Sequence, residues 1–394
     1  MTVAADTTLA RRHAFVEQAG LAAVYGVAGA LQFSIAVAQI LLTVAVVCWL
    51  ALIVIDRETI EVPRFAWPLA LYAVLTLIST AFSPDPRTSL LADKQMILFL
   101  LVPLVYRFAT GSHASTMVTV IVSFAAASAI VGIVQFGVLH YDNLGRRAQG
   151  TLGHYMTYSG LLMLVIGAAL ARVLFGRRER MWSALVIPAL AVAVAFSFAR
   201  NAGVGACAAA ALLLFLKDRR LLALLPIVAA VFVLLAPTAI TNRYASIFSL
   251  KNPTNRDRVA MLREGALMIK AHPLVGIGPN MVQPLYAQYR VPEAVNPVNP
   301  HLHNVPIQIA AERGLPALAV WLWFIVGLFV ALWKRLRDPS QRFLAAVGLS
   351  AVVSMLAAGM FEYNFGDSEF LMLFLILVTL PFAAARTLTR PSTT

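Results

Sequence analysis

His303 lies in the run Asn299-Pro300-His301-Leu302-His303-Asn304, near the end of a polar, Pro- and Asn-rich stretch set between apolar segments. Imidazole is the side chain best suited to take a proton near neutral pH. A helical pattern begins around Asn304, has Pro306 in its first turn, where proline is tolerated, and stops at Arg313-Gly314. His303 is therefore expected at a helix N-terminus, where the positive dipole end disfavours imidazolium and keeps the ring able to act as a base. His301 and His303 could also pair on a metal, but no clear third ligand stands nearby in sequence, and no metal or other cofactor is expected. Asp367 and Glu369, in Asp367-Ser368-Glu369, have a spacing that could hold a divalent ion; two carboxylates beside a helix start are more often a cap.

Cations form the second chemical signal. Residues 239–313 carry eight basic side chains (Arg243, Lys251, Arg256, Arg258, Arg263, Lys270, Arg290, Arg313) against four acidic ones (Asp257, Glu264, Glu293, Glu312). Asn255 is expected to cap a helix from Arg256 to about Lys270, ended by His272-Pro273 and Gly276. On it Arg256, Arg263 and Lys270, seven residues apart, make a basic stripe, and Val259, Leu262, Ala266 and Ile269 make an apolar one. Solvation alone explains such a stripe. Arg200 differs, because Phe198-Ala199-Arg200-Asn201-Ala202-Gly203 sits at the boundary of two apolar segments, where a cation is costly unless it snorkels or meets an anion. Guanidinium suits phosphate, since its planar donors match phosphate oxygens and its charge persists. Arg146 and Arg147, just before Gly150-Thr151-Leu152-Gly153-His154, are placed to line the same cavity.

These groups need a scaffold, and composition says which. A chain of 394 residues with 60% hydrophobic and 12% charged residues cannot hide its apolar surface in a water-soluble core. The solvent must be lipid. At roughly 20 apolar residues per crossing, helices fall near 14–30, 33–55, 65–83, 90–109, 114–138, 154–175, 182–198, 202–216, 220–238, 314–333, 343–362 and 369–386. The fold class is thus an all-α polytopic membrane protein with about twelve crossings. The run from Leu21 to Ile55 is read as a hairpin around Gln32 rather than one long helix, and the N-terminal segment is read as retained. With the N-terminus cytoplasmic, the inner connections hold Arg57, Arg107, Arg172, Lys217, Lys334, Arg386, Arg390 and others, and the short outer ones only Arg87, Lys94, Arg146, Arg147 and Arg200. The positive-inside rule then puts 239–313 outside. Three regions follow: 1–238 with helices one to nine, the outer loop 239–313 with His303, and 314–394 with the last three helices and a cytoplasmic tail.

The net charge of +13 is first a topology signal in such a chain, and no nucleic-acid partner is expected. Cys48 and Cys207 both lie in apolar runs and read as packing residues. Internal repeats, a P-loop, a Rossmann glycine pattern and a G-x-S-x-G elbow are all missing. An outward cavity with cations and a neutral imidazole best fits a charged headgroup carried on a membrane lipid.

At this point the residues resemble the O-antigen ligase family, within the wider group of polytopic ligases and O-antigen polymerases. The likeness rests on His303-Asn304-Val305-Pro306-Ile307 through Gly314, with Ile where the family has Leu. It extends to residues 150–160, to His272-Pro273-Leu274-Val275-Gly276-Ile277-Gly278-Pro279 and to 362–369. Ala199-Arg200-Asn201 keeps the arginine of the family's Ser-Arg-Gly. The resemblance implies a C-type glycosyltransferase-like fold. It implies transfer of O-antigen polysaccharide from an undecaprenyl pyrophosphate donor to a lipid A–core sugar hydroxyl, on the periplasmic face of the inner membrane, without metal and with inversion. His303 would be the base; Arg200, Arg256 and Arg263, then Arg147, Arg258 and Arg290, would hold the pyrophosphate. The rivals are an O-antigen polymerase and, from another class, a lipid-linked glycan transporter; polar residues clustered at one face rather than the midplane argue against transport.

Overall fold

The apolar stretches of the sequence become helices because a backbone N–H or C=O in hydrocarbon must find its partner within its own segment or a closed barrel. The computed structural model describes residues 2–56, 58–140, 147–246, 249 and 251–386, with side chains from residue 11 onward except at 56; Arg57, Arg146 and Arg390 lie outside the described residues. In chain order the helices are α1 (Thr2–Ala30), α2 (Ile35–Asp56), α3 (Ala66–Ala81), α4 (Pro86–Asp93), α5 (Leu101–Phe108), α6 (Ser112–Gly137), α7 (Tyr155–Phe175), α8 (Arg180–Phe196), α9 (Arg200–Lys217), α10 (Leu224–Leu235), α11 (Thr238–Ala245), α12 (Pro253–Ala271), α13 (Val282–Tyr289), α14 (Val305–Arg335), α15 (Arg342–Gly359) and α16 (Ser368–Ala384). No strand occurs among the described residues.

Seven segments among the described residues are long and apolar enough to cross a membrane, and α3, α8 and α16 are shorter apolar helices. Their outward faces stay apolar: Ile40, Val47 and Val54 on α2 are exposed, as are Ile227, Leu234 and Leu235 on α10. Helix α10 buries none of its residues. Water penalises such a surface and lipid does not, so the chain is a multi-pass membrane protein. The first apolar run is a hairpin: α1 stops at Ala30, and the carbonyl of buried Gln32 in the turn accepts from Ser128 Oγ at 2.9 Å. The run expected as one helix at 90–109 is instead α4, a 3-10 stretch at Lys94–Leu100 and α5.

Helix α14 ties the site to the bundle. Gly314 interrupts it at φ 82° and ψ 169°, and Pro316 follows, so carbonyls in the preceding turn lose their helical partners. The segment 273–278 supplies new ones. Ile277 N donates to Ala311 O and Gly278 N to Glu312 O, both at 2.9 Å, while Leu315 N donates to Pro273 O at 2.8 Å. A Cβ at Gly314 would collide with the Leu274 carbonyl, and one at Gly276 (φ 71°) with the Glu312 carbonyl. This close crossing is why the His272–Pro279 run is rich in glycine. Beneath it Met261, Met268, Ile277, Met281, Val282, Leu302 and Ala311 form a small core of their own, apart from the main core of the bundle.

Helices α7, α9, α14 and α16 all begin at one end of the bundle, and their opposite ends carry Arg172, Lys217, Lys334 with Arg335, and the following Arg386. The cation-rich end is thus far from His303.

Candidate active site

The polar loop is held by buried carboxylates, which reverses the expected polarity of α12. The face of α12 that packs inward carries Asp257, Ala260, Met261, Glu264, Gly265 and Met268, whereas Val259 and Leu262 are exposed. The reason is in the loop that follows. Asp257 Oδ1 accepts the backbone N–H groups of Val295 and Asn296 at 2.8 and 3.0 Å, and its Oδ2 accepts the side-chain amides of Asn296 and Asn299 at 2.7 and 3.1 Å. Glu264 Oε1 accepts Val291 N at 3.2 Å. Hydrogen bonds to a charged group contribute about 1.5–3 kcal/mol each, enough to fix an otherwise irregular segment. The helix also starts earlier than expected. Asn252 caps it, accepting from Thr254 N at 3.0 Å, because Pro253 has no N–H to satisfy and fits the first turn. Asn255 instead donates to the carbonyls of Ser246 and Ser249 at 2.9 and 3.0 Å.

The anchored loop delivers two imidazoles to one carboxylate. Leu302 between them is buried in the small core, and its N–H donates to Gln308 Oε1 at 2.7 Å. Asn304 caps α14 through Ile307 N at 3.0 Å and donates to Met360 O at 3.1 Å, so His303 immediately precedes the cap. His303 adopts φ 49°, a conformation that costs energy for a residue with a Cβ and that turns its ring toward the end of α15. There Glu362, which is 7% exposed, meets His303 Nδ1 with Oε2 at 2.8 Å and His301 Nε2 with Oε1 at 2.7 Å. The two rings lie 4.2 Å apart, centroid to centroid. Burial alone would raise the Glu362 carboxyl, but the hydrogen bonds from His301 and His303 overcome it and hold the group below the usual carboxylate range. An ionised carboxylate only accepts, so His303 carries its proton on Nδ1 and leaves Nε2 as the basic nitrogen.

His303 lines three cavities, of which one, about 260 Å³, lies against Val204, Val259, Leu262 and Phe361 and also touches Arg200 and Arg258. Another, also about 260 Å³, is bordered by Arg147, Arg200, Arg243 and Arg258, and among the described residues the only carboxylate on its wall is Asp257, already engaged by the loop. Burial lowers the guanidinium pKa of Arg258 and of Arg243, with Arg147 adding like-charge repulsion at Arg243. Such an excess of buried positive charge is relieved by an anion. Backbone adds to it. Tyr155, Arg200, and Pro253 with Thr254 on the same wall open α7, α9 and α12, and His303 stands before α14, so four helix N-termini converge there. The third cavity, about 370 Å³, has His154, Asn201, His301, Glu362, Asn364 and Asp367 around it and, among the described residues, no arginine.

Among the expected cations, Arg147, Arg200 and Arg258 therefore share one cavity with His303. Arg147 stacks 4.4 Å from the Tyr155 centroid. Arg200 spans α9 and the loop, donating to Ser246 O at 3.2 Å and Asn255 Oδ1 at 2.8 Å. Arg256, Arg263 and Arg290 are elsewhere. Arg256 is exposed, Arg263 pairs with Glu293 at 2.9 Å on the surface, and Arg290 is spent on the carbonyls of Ala294 and Asn296. Arg256 and Arg263 follow the solvated stripe, which α12 turns outward when it buries Asp257 and Glu264. Asp367 caps α16, accepting from Phe370 N at 2.9 Å. Glu362 and Arg243 are the site residues that sequence reasoning missed. Glu362 is the third ligand-type group absent near the histidine pair in sequence, and with His301 and His303 its donor atoms lie close enough to hold a metal ion.

Fold and site together define a multi-pass, all-helical membrane protein with an anion-attracting, histidine-bearing chamber at one end of its bundle. Residues 190–322 match the O-antigen ligase family model, which supports the O-antigen ligase family for this chain. The matched segment runs from α8 into α14 and includes Arg200, Arg258 and His303. A search of curated proteins finds no match.

Proposed function

We propose that the protein is an O-antigen ligase that moves O-antigen polysaccharide from undecaprenyl pyrophosphate to a sugar hydroxyl of lipid A–core at the periplasmic face of the inner membrane, with twelve crossings and both termini in the cytoplasm. The observation that carries this reading is His303, oriented by Glu362, in the wall of a cavity edged by four guanidiniums. The diphosphate of the donor occupies the arginine chamber. The acceptor hydroxyl comes from the arginine-free side, where His154, Asn201 and Asn364, with the carboxyl groups of Glu362 and Asp367, offer the hydrogen bonds a sugar takes. Its proton passes to His303 Nε2 as its oxygen attacks the anomeric carbon; the bond from that carbon to the phosphate oxygen breaks, and the pyrophosphate leaves with its charge held by Arg147, Arg200, Arg243 and Arg258. One displacement inverts the anomeric centre.

The test is purified protein with defined lipid-linked donor and core acceptor. Ligated product supports the reading, and extension of one lipid-linked glycan by another would make the protein an O-antigen polymerase. Loss of the gene separates the two as well: a ligase defect leaves rough lipopolysaccharide, a polymerase defect leaves core with a single repeat unit.

Two further outcomes are expected in that assay. Activity is expected to persist in excess chelator, because the imidazole can take the proton and the arginines can hold the leaving pyrophosphate without a metal; loss of turnover, restored by a divalent cation, would turn the triad into a metal centre. Arg200→Lys lowers kcat/KM by about 10- to 100-fold, since lysine keeps the charge but cannot bridge Ser246 and Asn255 with two arms, and each charge-assisted bond contributes about 1.5–3 kcal/mol. An unchanged rate would make Arg200 a boundary anchor.

A further inference from the structure

A second basic site lies at the far end of the bundle. Beyond its interruption at Gly314, α14 runs to Arg335, a rise of about 30 Å, close to the hydrocarbon thickness of a bilayer. Around its last turns a cavity of about 670 Å³ is bounded by Arg64, Lys334 and Arg335 at one edge and by Tyr106, Trp323 and Phe382 along its depth. No carboxylate among the described residues lines it. Of the acids at this end, Glu61 is paired with Arg386, whose guanidinium covers Tyr106, and Glu58 is paired with Arg107. Arg335 is the most constrained of the three cations. Its guanidinium sits 4.1 Å from the Phe382 centroid, its Nη1 reaches only the Ala331 carbonyl of its own helix, and its Nε is buried without a hydrogen-bond partner.

We propose that this cleft binds an anionic phospholipid of the leaflet opposite the His303 site, its headgroup phosphate held by Arg64, Lys334 and Arg335 and an acyl chain laid along Trp323 and Val330. Charge selects the headgroup: three cations without a lining acid favour a net negative lipid over a zwitterionic one, whose ammonium would bring back positive charge. The apolar flank selects a lipid over a soluble anion. Trp323 and Val330 are 56% and 43% exposed, so the cleft opens sideways onto the hydrocarbon, where an acyl chain belongs. The site lies apart from the chamber at His303, and the proposal stands whether or not the transferase reading does.

The experiment is a titration of the full-length, delipidated protein in detergent, read by native mass spectrometry and by thermal unfolding. The probes are phosphatidylglycerol, phosphatidylethanolamine and inorganic phosphate. Phosphatidylglycerol is expected to bind and raise the unfolding midpoint, and the other two are not. Arg64→Gln with Lys334→Gln removes two exposed cations without disturbing the core, and the apparent Kd for phosphatidylglycerol should rise at least about tenfold. Arg335→Lys, which keeps the charge but loses the planar contact with Phe382, should weaken binding less. Equal affinity for phosphatidylethanolamine, an equal shift with phosphate alone, or an unchanged Kd in the double variant would overturn the proposal.

Discussion

His303→Ala is expected to lower glycosyl transfer by about 10²- to 10⁴-fold, the range that a positioned general base contributes, and to leave the folded protein intact. The two expectations have separate physical grounds. What holds the loop is Leu302 in its small core, the Asn304 cap and the four hydrogen bonds on Asp257. None of them uses the imidazole, and a residue at φ 49° is held there by its neighbours rather than by its own ring. The variant should therefore stay folded, its stability lower by no more than about the 1.5–3 kcal/mol of the lost bond to Glu362, and bind lipid-linked donor close to wild type while kcat falls. Turnover at the wild-type rate by His303→Ala would remove the base assignment outright.

How far the sequence could be read depended on how local each signal was. Helix positions were legible because hydropathy over a span is a local sum, and the hairpin at Gln32 and the interruption at Gly314 have polar or conformational markers of their own. His303 was legible from the helix start that follows it. Which arginines face it was not. The stripe of Arg256, Arg263 and Lys270 is a correct statement about one helix, yet rotation of that helix is decided by Asp257 and Glu264, whose partners at 291–299 lie in an irregular segment without periodicity. A search for buried acids seven residues apart, followed by an Asn-rich loop, would have placed Arg258 inside and Arg263 outside. The convergence of four helix N-termini is a property of packing, and nothing in the spacing of Tyr155, Arg200, Pro253 and His303 announces it. Glu362 is 59 residues beyond His303 in sequence and 2.8 Å from it in space; only its place among the ligase-like residues 362–369 pointed to it.

Glu362→Gln is the sharper probe of the mechanism, because it changes one atom type and leaves the shape. The carboxylate accepts from both imidazoles at once, which an amide cannot do: its oxygen can accept from one ring, and its nitrogen must then donate to the other. If the amide nitrogen faces His303 Nδ1, the proton of that ring moves to Nε2, and the base is lost although every heavy atom remains in place. The expected loss is about 10³-fold in kcat, comparable with the 10²–10⁴ range of a general base, with donor KM little altered because the arginines are untouched. Glu362→Asp should recover part of the rate where its shorter arm still reaches His303. The pH dependence of stability gives an independent reading. A carboxyl held below its ordinary range contributes stability that is fully present above that range and is lost as pH falls through the folded value. The wild type should therefore lose an increment of stability on acidification that Glu362→Gln does not lose. A merely structural Glu362 would show the stability difference with normal kcat; a positioning Glu362 shows both, and a variant with normal kcat and an unchanged pH–rate profile would leave His303 to act without it.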